Sequence, residues 1–204
     1  MDRRAVEQAR EALGCMNEAL KQINCSSISD VEVSKAWKSF LHNSGLIYSK
    51  LTAGSRRHRS QGWWDKETNL RKTDDLLAYL CHARNAAEHG LDVVVHLKKM
   101  GPFSISIKGA KWTPESLDQA KSQPGISSLA YDKDGNGLIN FVAHFHLCAP
   151  VEDRGKVYPV PNHHLQTEFT YSTVFQIGTL VMPHFERLVR TATDFSLRDG
   201  KRPG

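Results

Sequence analysis

The sequence predicts an α+β protein: a helical bundle with a small β-rich insertion before its last helix. Two observations carry this. Apolar residues recur at helical spacing up to about residue 95 and again from about Ser172, and β-branched alternation takes over between Asp92 and Leu147. At 204 residues the chain suits one compact core with an elaboration. The expected division is a helical core over 1–95, a β-rich insertion over 96–170, a helix over 171–197 packing back on the bundle, and a disordered tail over 198–204.

Residues 2–23 form the first amphipathic helix, with Val6, Ala9, Leu13, Met16 and Leu20 on one face. Small polar residues from Asn24 to Ser29 break it. Ser29-Asp30-Val31-Glu32 has capping-box form and opens a second helix to about Ala53, whose face is Trp37, Phe40, Leu41, Ser44, Tyr48 and Leu51. Gly45 in mid-helix costs about 1 kcal/mol of propensity and predicts a close helix approach. Ser55 to Thr73 reads as a basic loop: Arg56, Arg57, His58 and Arg59 precede Trp63 and Trp64, followed by Lys66, Arg71 and Lys72. Cations beside aromatics suit single-stranded nucleic acid, with charge for phosphates and flat faces for bases. Arg56, Arg57 and Arg59 are therefore the candidate RNA-binding residues, while the tryptophans are expected to anchor the segment by burial.

The next helix runs from about Thr73, a candidate N-cap, to His89, with Gly90 suited to stop it. Leu76, Leu80, Ala83 and Ala87 make its buried stripe. After it, Asp92–Lys98 and Phe103–Lys108 read as strands, Thr113–Lys121 as a short helix, and Gln123-Pro-Gly125 as a turn. Ile126–Tyr131 and Leu138–Leu147 flank a longer hairpin loop. Residues 149–167 read as irregular. Helical spacing then returns over 172–195, with Val174, Ile177, Val181, Phe185, Leu188 and Val189 facing inward; Pro183 predicts a kink or break near Val181–Met182.

Composition excludes several classes. Lys+Arg 27 against Asp+Glu 22 leaves +5, which permits nucleic-acid binding without demanding it. Cys15, Cys25, Cys81 and Cys148 are widely spaced, so neither a disulfide framework nor a zinc site is indicated. No signal peptide or membrane-spanning run is read, and the expected location is cytoplasmic. Asp132-Lys-Asp134-Gly-Asn136-Gly137 copies the first half of a calcium loop, but Ala143 stands where the bidentate Glu belongs, so the segment reads as a turn. His144 and His146 share a strand face and begin a metal site that His163, His164 or Glu152 would complete; the plainer reading is a solvent-facing strand edge. No metal or cofactor is assigned.

The chemistry concentrates at the end of the third helix, in Arg84-Asn85-Ala86-Ala87-Glu88-His89. This run resembles the R-N-x-x-x-H form of the motif carried by HEPN proteins at the end of a core bundle helix. The resemblance covers roughly residues 1–95; the helical context, the Asn after the Arg and the Gly after the His give it specificity. It implies a metal-independent endoribonuclease of a defence or toxin–antitoxin system, with Arg84, His89 and Asn85 catalytic and Glu88 and His82 supporting. It equally admits a non-catalytic interaction or ligand-binding module. A metal-dependent enzyme using His144 and His146 is the third possibility. On an ideal helix Arg84 and His89 point about 140° apart. Arg84 aligns with Glu88, as an ordinary i,i+4 pair would, and His89 with Asn85 and His82. The mismatch predicts a homodimer whose motif helices meet at a two-fold axis, the His82/Asn85/His89 stripe being free to face a partner or RNA. The expected partners are RNA, a second copy and an antitoxin or other protein, with no membrane.

Overall fold

The structure is a computed structural model that describes residues 1–25, 29–56, 58–89, 94–99, 103–107, 126–131, 137–141, 144–165, 167–169 and 173–199. Among these residues the chain is mostly helical with small sheets, an α+β arrangement, and no described helix is long and apolar enough to cross a membrane. It divides into two units, one of residues 1–96 with 147–204 and one of 97–146.

The helices begin where local chemistry starts them. Asp2 caps α1 (Arg3–Ile23) by accepting from the Ala5 N–H at 2.8 Å. The capping box at Ser29 opens α2 (Asp30–Ser55): Glu32 N–H donates to Ser29 Oγ at 3.3 Å, and Ser29 N–H to Glu32 Oε2 at 2.9 Å. α2 packs against each of the other described helices, which is why Trp37, Phe40, Leu41, Ile47, Tyr48 and Leu51 are all buried on it.

The segment read as a basic loop is only partly one. After a turn over residues 58–60, α3 (Gln61–Thr73) forms a full helix. Its inward positions are Trp64 and Glu67, at 1% and 7% exposure. A buried acid does not register in an apolar periodicity, and it is buried because Arg187 pairs with it. The tryptophans anchor the segment as expected: Trp64 Nε1 donates to Thr52 Oγ1 at 3.0 Å, and Trp63 packs between Trp64 and Phe195.

Because Thr73 closes α3, α4 (Asp75–His89) starts one residue later than expected, and Asp74 is its cap, accepting from Leu77 N–H at 2.9 Å. Leu76, Leu80 and Ala83 are buried as expected, with Tyr79 and Ala86 beside them. α5 (Val174–Asp199) runs through Pro183 without a break. Pro183 lies on the exposed side, while Val181 and Phe185 bury the turns on either side of it. The carbonyl that Pro183 leaves without a donor therefore faces solvent.

In the 97–146 unit, β2 (Phe103–Ile107), β3 (Ile126–Tyr131) and β4 (Gly137–Phe141) form an antiparallel sheet in the order β2-β4-β3, with Ile105 and Leu129 both opposite Ile139. β3 and β4 are thus the expected hairpin. The expected single strand 138–147 is instead two, since β5 (His144–Cys148) pairs with β1 (Val95–Lys99). The readings of Thr113–Lys121 and of the Asp132–Asn136 turn lie outside the described residues. Residues 147–170 group with the helices. They form two hairpins rather than irregular coil: β6 (Val151–Asp153) with β7 (Lys156–Tyr158), and β8 (His163–His164) with β9 (Thr167–Glu168). Strands this short cannot show alternation. Arg154 and Gly155, at φ 55 and 75, make the two-residue turn between β6 and β7.

Candidate functional site

Arg84 stands in the second-to-last turn of α4, and Gly45 of α2 makes room for it. A Cβ at Gly45 would lie 2.5 Å from Arg84 Cδ and 2.7 Å from Nη1, so the glycine seats an arginine. Arg84 Nη2 donates to Asn85 Oδ1 at 2.5 Å. Its Nε is buried with no hydrogen-bond partner among the described residues; the i,i+4 carboxylate of Glu88 is 3.8 Å away. Glu88 turns its other oxygen to His42 Nδ1 at 2.8 Å. The ordinary surface pair expected from the spacing is therefore weak, and Arg84 is aimed elsewhere.

It lines a cavity of about 330 Å³ with Arg56 and Arg71. Tyr48, Ser49 and Thr52 of α2 complete its polar wall. Arg56 follows the last residue of α2 and Arg71 is in the last turn of α3, so helix C-termini hold both cations in place. No carboxylate pairs with either among the described residues. The Arg71 guanidinium instead lies 4.1 Å above the Tyr48 ring. The motif arginine and one arginine of the basic segment, read as separate features, thus share one cavity. Arg59 is exposed and does not line it, and Arg57 lies outside the described residues.

Behind Tyr48 runs a buried polar chain. Arg187 donates two bonds to Glu67, at 2.6 and 2.8 Å, and its Nη2 also lies 3.2 Å from His184 Nδ1. Arginine only donates, so Nδ1 accepts and the ring proton sits on Nε2, which donates to Tyr48 Oη at 2.9 Å. Burial, reinforced by the Arg187 charge, pushes His184 down to about 4. Burial also pushes the Tyr48 phenol well up, so it stays protonated. Burial raises Glu67 too, but the hydrogen bonds and charge of Arg187 outweigh it and hold the carboxyl below its ordinary value.

The other face of α4 meets the two hairpins. Asp153 Oδ2 of β6 accepts from Asn85 Nδ2 at 2.8 Å and lies 2.8 Å from His82 Nδ1. The His82 ring stacks on Tyr158 of β7, with centroids 3.5 Å apart. Asp74 ties the second hairpin to the same helix, accepting from Leu165 N–H at 2.9 Å with His164 Nδ1 at 3.0 Å. Of the stripe expected to stay free for a partner or RNA, His82 and Asn85 are instead engaged by this chain's own hairpin, whose strands are too short to be read. His89 ends α4, and its side chain lies outside the described residues.

Among the described residues no cluster of His, Cys, Asp and Glu is grouped to hold a metal ion. His144's side chain is outside them, His163 Nδ1 lies 2.7 Å from Asn162 Oδ1, and His164 is taken by Asp74. The residues missed from sequence are Arg71 as a cavity cation and Glu67, His184 and Arg187 behind it. The only local signal was the Glu67/Arg71 i,i+4 spacing. Neither a protein-family model, a curated protein nor a solved structure matches this chain at a significant level.

Proposed function

We propose that the protein is a HEPN-like, metal-independent endoribonuclease acting in the cytoplasm, in a defence or toxin–antitoxin setting. One observation carries the reading: Arg56, Arg71 and Arg84 line a single cavity, and among the described residues no carboxylate pairs with Arg56 or Arg71. Such a cluster suits a phosphate of the RNA backbone, since guanidinium forks match phosphate oxygens. In the reaction the RNA 2′-hydroxyl attacks the adjacent phosphorus, and the bond to the 5′-oxygen breaks. The products are a 2′,3′-cyclic phosphate and a 5′-hydroxyl end. Arg84 stabilises the charge that builds on the phosphoryl oxygens, and His89 serves as acid or base. Asn85, held by Asp153, fixes the Arg84 guanidinium through its Oδ1. A homodimer with a composite cleft would form around the C-terminal end of α4, because Asp153 and Tyr158 occupy the His82/Asn85 face.

A second reading, a non-catalytic ligand-binding module that pairs with an antitoxin or other protein, is favoured by the cavity lining itself. Its groups are arginines, hydroxyls and a phenol held protonated, which bind an anion but supply no acid or base near neutral pH. RNA cleavage in EDTA separates the two. The wild type should leave 2′,3′-cyclic ends, and His89→Ala and Arg84→Ala should each lower the rate about a hundredfold or more. A wild type that cleaves no RNA, or a His89→Ala variant as active as wild type, sinks the nuclease and leaves the binding module.

A further inference from the structure

Glu67 and Arg71 stand at i and i+4 on α3, with the acid toward the N-terminus, the order in which such a pair forms most readily on a helix. They do not pair. Both Glu67 oxygens are taken by Arg187 from α5. Arg71 lies over the Tyr48 ring instead, and Tyr48 is itself pinned by His184, whose other nitrogen meets Arg187. Arg187 therefore sets two conditions at once: it takes up the carboxylate one helical turn before Arg71, and it steadies the ring on which Arg71 rests.

We propose that Arg187 is a positioning residue for a phosphate site: by holding Glu67 it leaves Arg71 without a carboxylate partner, and Arg56, Arg71 and Arg84 together bind a phosphate group. This rests on the reading of the cavity as the place where RNA phosphate is held, and it assigns that place a third cation and the device that supplies it. Among the described residues no carboxylate pairs with Arg56 or Arg71, so the cavity wall carries positive charge that an anion can balance. The shared chemistry is a phosphate, whether an internal phosphodiester of RNA or a free phosphate or phosphate monoester.

The test is titration of the intact protein with inorganic phosphate at constant ionic strength, by calorimetry, for wild type and four variants. Arg71→Gln should weaken binding about tenfold, the scale of one lost charge-assisted contact. Arg187→Gln should weaken it nearly as much, because the released Glu67 turns to Arg71. Glu67→Gln/Arg187→Gln should return it to within about twofold of wild type, the uncharged pair no longer competing. Arg187→Gln binding like wild type, or a double variant as weak as Arg187→Gln, overturns the proposal. Should Arg187→Gln fail to fold, Glu67→Gln decides. With no acid to divert, it should bind phosphate at least as well as wild type, and loss of binding overturns the proposal. Competition by a single-stranded hexanucleotide RNA without terminal phosphates assigns the site to the backbone diester. Phosphate binding without that competition assigns it to free phosphate groups. Cleavage failing while phosphate binds sinks only the nuclease reading; a wild type that cleaves RNA but binds no phosphate sinks only this inference.

Discussion

Arg84 and Asn85 are neighbours on α4, and their two faces treat charge in opposite ways. On the Arg84 face three arginines gather; Glu67 is taken up by Arg187, and Glu88 is shared between His42 at 2.8 Å and the Arg84 Nε at 3.8 Å. On the Asn85 face a single carboxylate, Asp153, is engaged through its Oδ2 by Asn85 and His82, and the Tyr158 ring stacks on His82. One face presents arginines to a cavity; on the other the carboxylate is engaged by this chain's own side chains. Placement of a few carboxylates, more than the motif residues themselves, decides which side of the helix can meet an anion.

Acid should separate the two faces first and most strongly. His184 backs the Arg84 face, and its folded value of about 4 is below the ordinary histidine value of 6.5. Between these limits the unfolded chain binds a proton that the folded one refuses, so stability falls as pH drops from about 6.5 to about 4, by about 3 kcal/mol in total. The Asn85 face behaves differently. Hydrogen bonds from His82 and Asn85 hold Asp153 below its ordinary value, so its contribution is intact above about pH 4 and is lost only as pH falls through the lowered value. Hydrogen exchange against pH should therefore show α2 and α5 loosening before β6 and β7 do. His184→Gln should flatten the slope between pH 6.5 and 4; an unchanged slope would remove His184 as its source.

A smaller effect should follow from disturbing the Asn85 face. Asp153→Ala removes the acceptor of Asn85 and His82 in a carboxylate whose side chain is about one-tenth exposed. It should destabilise the fold by about 1–2 kcal/mol in urea unfolding. Phosphate affinity should stay near that of wild type, since no cavity arginine touches Asp153. A large loss of phosphate binding would show that the two faces are coupled through Asn85.

The smallest change in stability should come from Gly45→Ala, which addresses the Arg84 face alone. Alanine gains about 1 kcal/mol of helix propensity, while its Cβ, 2.5 Å from Arg84 Cδ, forces that side chain off its seat. The midpoint of unfolding should move little while phosphate affinity falls several-fold. Unchanged binding would mean that Arg84 reaches the cavity from more than one seat.

Much of the fold was legible locally. The capping box at Ser29, the ends of α1 and α2, the buried stripe Leu76/Leu80/Ala83 and the β3–β4 hairpin all follow from propensity, capping and periodicity acting within a few residues. The R-N-x-x-x-H run could be placed on a helix in the same way. What surrounds it could not. Asn85 meets Asp153 across 68 residues, Glu67 meets Arg187 across 120, and Tyr48 meets His184 across 136. Only the packing of α2, α3, α4 and α5 turned a basic segment into a helix with a buried acid and brought Arg56, Arg71 and Arg84 to one cavity. The physical reason is that a charged residue's environment is set by the partner that packing delivers. Glu67 reads as a surface acid until Arg187 arrives to bury it, and Arg71 is free for an anion only because it does.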